Sequence, residues 1–143
     1  MSGTPESSHR FAIAALEKQS RDALWDRIAP FIEQSEYVES AERVRELLDR
    51  GALMVWAVLR DDGSVVGSFI TRIDKLAHGH ALHVLAVGGR DVAAWADDAL
   101  AAAEQEANDH LCVEVRVSTA PEATAYLSGH GFEPRQVIHV KEL

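Results

Sequence analysis

The sequence predicts an α/β fold built around an antiparallel meander, and three observations carry that expectation. The spacing of apolar residues changes from about 3.6 to 2 at Leu53-Met54-Val55-Trp56-Ala57-Val58-Leu59. Asp61-Asp62-Gly63-Ser64 is a tight-turn signal, because Asp-Gly accepts positive φ angles without strain. From Asp91 to about Asn108 an alanine-rich stretch returns to helical spacing.

With 143 residues, 47% of them apolar and 26% charged, the chain fits a single domain over 1–143 with one core. Residues 1–8, rich in Ser, Gly, Thr and Pro, are expected to fray. Phe11 to Leu16 is short and apolar, so strand and helix both remain open, with strand favoured. Leu24, Ile28, Phe31 and Ile32 then form a helical stripe with Trp25 beside it, and Pro30 is expected to kink or split that helix. A second helix starts at the N-cap Ser40, turns Val44, Leu47 and Leu48 inward, and stops at Gly51.

The meander follows: Leu53 to Leu59, Val65 to Ile73 after the Asp-Gly turn, a further turn over Asp74 to Gly79, and Ala81 to Val87 ending at Gly88-Gly89. Asp91 is the expected cap of the long helix, with Val92, Trp95 or Ala96, Ala99, Leu100 and Ala103 on its inner side. Leu111 to Val117 reads as a strand. Pro121 at the first helical position opens a short helix to about Ser128, Gly131 lies past its end, and Val137 to Val140 reads as a closing strand.

Fourteen basic against twenty-three acidic side chains give a formal charge of −9, and Arg43, Arg45 and Arg50 are interleaved with Glu42, Glu46 and Asp49, so nucleic acid is not an expected partner. No apolar run approaches the roughly eighteen residues of a membrane span, and Met1 to Arg10 is polar, so no membrane partner and a cytoplasmic location are expected. Cys112 is the single cysteine, which excludes an internal disulfide and a cysteine-cluster zinc site and leaves a buried inert thiol.

The order helix, helix, meander, long helix, strand, short helix, strand resembles the GNAT N-acetyltransferases over nearly the whole chain. Two local matches accompany it: Ala123 to Pro134, with Gly131-Phe132-Glu133, is similar to the family's late helix and Gly-Phe turn, and Asp62-Gly63 to Gly67 to its early hairpin. The resemblance implies a GNAT-like α/β fold with a mixed, mostly antiparallel sheet flanked by helices. It also implies acetyl-CoA as cofactor, its pantetheine between the splayed fourth and fifth strands and its pyrophosphate on the amides opening the next helix. Those positions are Val87, Gly88, Gly89, Arg90, Asp91 and Val92. Two departures stand out. The loop is short, with Ala94-Trp95-Ala96 where the family carries glycines, and a capping Asp91 would set a carboxylate, with Asp97 and Asp98 nearby, against a phosphate. The position of the family's tyrosine acid holds Leu127; Tyr126, about 100° around the helix, is the candidate acid or else a packed aromatic.

His83 on the third meander strand is the candidate general base for an amine. His78, His80 and His83 are closely spaced, but strand alternation turns His80 and His83 to opposite faces, so no metal site is expected. Ser118-Thr119 reads as a helix-cap segment, since no Gly-x-Ser-x-Gly turn surrounds it. Glu114 and Arg116 share a sheet face as an ion pair or a polar cleft wall. The leading expectation is transfer of an acetyl group to a small-molecule or protein amine. The alternative is an inactive GNAT-fold binding or structural module, for instance in a phage particle, and the last strand offers an edge for a homo-oligomer or larger assembly.

Overall fold

The switch to alternation at Leu53 opens three long antiparallel strands. The computed structural model describes residues 11–35, 37, 39–136 and 138–143. The expected fraying of 1–8, and Val137 of the expected closing strand, lie outside the described residues. Along the chain come β1 (Phe11–Ala15), α1 (Lys18–Gln34), α2 (Ala41–Asp49), β2 (Met54–Arg60), β3 (Val65–Leu76), β4 (Gly79–Gly89), α3 (Val92–Asp109), β5 (Glu114–Val117), a 3-10 turn (Pro121–Ala123) and α4 (Thr124–Ser128). The five strands form one sheet in sequence order, antiparallel except where β4 meets β5 in parallel.

Each face of the sheet carries its own apolar layer. Trp25, Ile28 and Ile32 of α1 and Val44 of α2 cover Val55, Ile70 and Ala86. Trp95, Ala103 and Ala107 of α3 cover Trp56, Val58, Phe69, Leu82 and Val84. Burying a side chain such as Ile28 or Ile70 stabilises the fold by about 1.5–3 kcal/mol. Polar atoms in these layers are paired: Trp56 Nε1 donates to Thr71 Oγ1 at 3.0 Å, and Ser68 Oγ to the Trp56 carbonyl at 2.8 Å.

Several elements depart from the sequence reading. Pro30 does not split α1, which runs unbroken through it and turns Arg21, Trp25, Ile28 and Ile32 inward, so Trp25 and not Leu24 leads the buried stripe. Arg21 is tolerated there because its guanidinium pairs with Asp22 and Asp49. The turn expected over Asp74 to Gly79 is shorter. Asp74 opposes Ala81 and Lys75 opposes His80 in the β3–β4 ladder, since a strand with solvent on one face accepts polar side chains there.

Leu111 and Cys112 finish α3 and do not start a strand. Leu111 takes a left-handed φ of 55°, and the amides of Leu111 and Cys112 return to the carbonyls of Asn108 and Ala107. Residues 138–143 form no strand, and Ile138 and Val140 are exposed. β propensity reflects fit to a pleated, half-buried surface, and this tail has none beneath it. Gly131 closes α4 as expected, with φ 88° and the Phe132 amide bonded to the Leu127 carbonyl at 3.1 Å.

Candidate active site

β4 slips its register against β3 between Ile70 and Thr71, which inserts Leu85 without a partner. Such a bulge re-aims the side chains on either side of it. Before it, His83 opposes Arg72 on β3 and Arg116 on β5. Arg72 and Asp74, two residues apart, bring the carboxylate to the same face. His83 Nδ1 lies 3.1 Å from Asp74 Oδ2, and His83 Nε2 lies 2.6 Å from Ser118 Oγ. Arg72 holds Asp74 from the other side, Nε to Oδ1 at 2.5 Å and Nη2 to Oδ2 at 3.2 Å. The Arg72 hydrogen bonds, with a smaller contribution from His83, hold the Asp74 carboxyl below the usual carboxylate range. An ionised Asp74 accepts, so Nδ1–H faces it, and in the neutral ring this leaves Nε2 to accept from Ser118 Oγ. Arg116 completes this polar face, paired to Glu114 at 2.6 Å.

Asp74 and Ser118 are the residues that sequence reasoning missed. Asp74 lies in the stretch whose polar sequence predicts a turn, and Ser118 is not a cap: Ala120 precedes the 3-10 turn and no side chain caps it. The available signal was the alternation Arg72-x-Asp74, which puts a cation and a carboxylate on one face once β3 extends that far.

The paired part of β4 and β5 ends at Val84 and Val117, and the Ser118 amide bonds the Val84 carbonyl at 2.9 Å. Beyond that point Leu85 to Gly89 have no pairing with β5. Val87 and Val92 are exposed apolar side chains in this region. Gly88 and Gly89 are close-approach positions, and the neighbours come from the protein itself. A Cβ on Gly88 would meet the Phe31 carbonyl oxygen of α1 at 2.1 Å, and one on Gly89 would meet the Val66 carbonyl at 2.7 Å and the Trp95 ring at 2.8 Å. Trp95 Nε1 also ties down the Arg90 carbonyl at 2.8 Å.

Asp91 does not cap α3 with its side chain, contrary to expectation. It adopts a left-handed φ of 54° and its carboxylate pairs with Arg60 at 3.0 Å. The Ala94 amide bonds the Asp91 backbone carbonyl at 2.8 Å, and the Asp91 carboxylate covers none of the first-turn amides, which leaves those of Val92 and Ala93 without an intrahelical acceptor. Arg90 turns toward the start of β3, donating to the Val65 carbonyl at 3.4 Å. It lines a shallow concavity of about 350 Å³ with Arg27, Pro30, Phe31, Ser64 and Val65, none of which belongs to the β4–β5 gap.

Tyr126 lies on α4, where its hydroxyl donates to Asp97 Oδ1 at 2.6 Å. Burial, together with that hydrogen bond, raises the phenol pKa well above its ordinary value. His130 bonds the same carboxylate at 3.0 Å and packs against the Tyr126 ring at a tilt of 36°. These contacts dock α4 on α3 and are separate from the cluster around His83. His78 approaches Glu114 at 4.0 Å, and no group of three metal-ligating side chains assembles among the described residues. Cys112 is half-buried, its thiol pKa pushed up by burial. Among the described residues no helix is long and apolar enough to cross a membrane.

No protein-family model and no curated protein sequence matches the chain. Solved structures do match in fold. A GNAT family acetyltransferase of Staphylococcus aureus is 9% identical with a TM-score of 0.66, over 94% of this chain and 99% of its own. The glucosamine-6-phosphate N-acetyltransferase of Arabidopsis thaliana is 15% identical with a TM-score of 0.66, over 92% and 97%. The aminoglycoside N-acetyltransferase AAC(6')-Iy, crystallised with a bisubstrate analogue of CoA, is 17% identical with a TM-score of 0.64, over 93% and 98%. The architecture is therefore that of the GNAT acetyltransferases, and the resemblance read from the sequence holds at the level of fold.

Proposed function

We propose that this chain, on its acetyltransferase fold, is an acyl-CoA-dependent N-acetyltransferase that acts on an amine, small-molecule or protein, by direct transfer. The single observation that carries the reading is the clamped imidazole of His83 close to the point where β4 and β5 part. Support for the cofactor comes from the donor set: the side of β4 from Val87 to Gly89 that faces away from β3 and has no β5 partner, the apolar side chains of Val87 and Val92, and the Val92 and Ala93 amides, which the Asp91 carboxylate leaves uncovered by pairing with Arg60. Those groups suit an apolar arm and an anion respectively. Acetyl-CoA, when bound, supplies the acyl group as a thioester.

The chain's own residues do the rest. Val87 and Gly89, whose amides alternate away from β3, offer backbone donors along the gap, Gly88 between them keeps the strand bare of a side chain, and Arg90, Asp91 and Val92 open α3 where an anionic group would rest. His83 Nε2 takes the amine proton, and Asp74 stabilises the imidazolium that results. Arg116 and Glu114 line the acceptor side. Tyr126, if it serves as the acid, must first release its hydroxyl from Asp97.

A second reading, a catalytically silent binding or structural module of the same fold, is favoured by the way Phe31 and Trp95 close both sides of Gly88-Gly89. Thermal melting with CoA or acetyl-CoA separates the two. A ligand at a hundred times its dissociation constant adds about 2.7 kcal/mol, so the acyltransferase reading expects a clear rise in Tm. An unchanged Tm at millimolar CoA leaves only the module.

A further inference from the structure

The three side chains that surround the His83 ring do more than hold a base. Ser118 Oγ, His83 Nε2 and Nδ1, and Asp74 Oδ2 form a continuous line of 2.6 and 3.1 Å contacts, with Arg72 fixing the carboxylate behind them. Hydroxyl, imidazole and carboxylate in that order are the parts of an activated nucleophile, recognised by geometry and not by sequence position. Access also fits. Ser118 is exposed, and the side chains of His83 and Asp74 keep 18% and 22% of their surface open. The Ser118 backbone is anchored by its amide to Val84 at the last bond before β4 and β5 part, so the hydroxyl sits at the mouth of the gap. Arg116, opposite His83 in the register and two residues before Ser118, uses its Nε on Glu114 and adds positive charge on the same face.

We propose that Ser118, His83 and Asp74 form a nucleophilic triad that hydrolyses activated acyl esters and thioesters through an acyl-serine, an activity that needs neither CoA binding nor an amine. In acylation, Oγ bonds the carbonyl carbon as its proton passes to His83 Nε2, and the ester or thioester bond breaks as the leaving alcohol or thiol takes that proton. In deacylation, water gives a proton to Nε2 and bonds the same carbon. The Oγ–carbon bond then breaks, Ser118 recovers the proton, and a carboxylic acid is released. Asp74 orients Nδ1–H and stays ionised throughout.

The test is incubation of the full chain with p-nitrophenyl acetate, reading p-nitrophenolate release and the mass of the peptide that contains Ser118. The expected result is catalysed release with one acetyl group on that peptide, lost in Ser118→Ala and slowed about 100-fold or more in His83→Ala. Ser118→Cys, which keeps a nucleophile in place, retains the adduct and guards against loss through misfolding, as do unchanged melting curves. Release at the uncatalysed rate, an acetyl group on lysine or histidine only, or full activity in a folded Ser118→Ala overturns the proposal. Failure here leaves the CoA melting result untouched, so the two readings fall separately.

Discussion

The two ends of β4 use the same strand for opposite purposes. At Gly88-Gly89 the protein closes on itself, with the carbonyl of Phe31 against one glycine and the Trp95 ring against the other. At His83 the strand faces partly open space, and the side chains that meet or flank the imidazole on that face are polar: Arg72, Asp74, Arg116 and Ser118. Leu85, the inserted residue, lies between them. A glycine pair of the kind that lets a ligand approach can instead admit a helix. A histidine in a β-rich run, by contrast, can belong to a site whose other members lie far away in sequence.

The largest effect that would break this comparison comes from Gly88→Ala. A methyl group there overlaps a backbone carbonyl, so α1 must move; the expected loss is about 3 kcal/mol or more, a fall in Tm of roughly 10 °C, read by calorimetry. A Gly88→Ala protein that melts like the parent would show that α1 does not press on this strand.

A smaller effect concerns the docking of α4. The Tyr126 hydroxyl, then His130, hold Asp97 below its ordinary 3.8, and the Tyr126 carbonyl, then Asp97, raise His130 above its ordinary 6.5. The Asp97 contribution is present above about pH 3.8 and is lost as pH falls through its depressed value. The His130 contribution is present below about pH 6.5 and is lost as pH rises through its raised value. Docking is thus strongest between those limits. An NMR titration should find His130 titrating above 6.5 and moving down in Asp97→Asn; a value at or below 6.5 that ignores the substitution would contradict the contact.

The elements that were legible in the sequence are those defined by local chemistry. The Asp-Gly turn, the Ser40 cap with its Oγ accepting from the Arg43 amide, the alanine-rich α3 and the left-handed Gly131 each follow from a few adjacent residues. The cluster around His83 was only partly legible, because its members come from three strands and the segment after β5, and their meeting depends on register. Asp74 reaches the imidazole only because β3 runs three residues further and β4 starts two residues earlier than the polar sequence suggests. Gly88 announced permissiveness without naming the neighbour that would use it. The closing Ile138-His139-Val140 shows the converse limit, a strand-like pattern with no sheet to join.

The claim that His83 marks the chemical end of β4 is tested most directly by thiol release from acetyl-CoA across a panel of primary amines, comparing the parent chain with His83→Ala at matched Tm. The account predicts turnover with at least one amine and a fall of about 100-fold or more in the variant. Equal rates in the two proteins would contradict it.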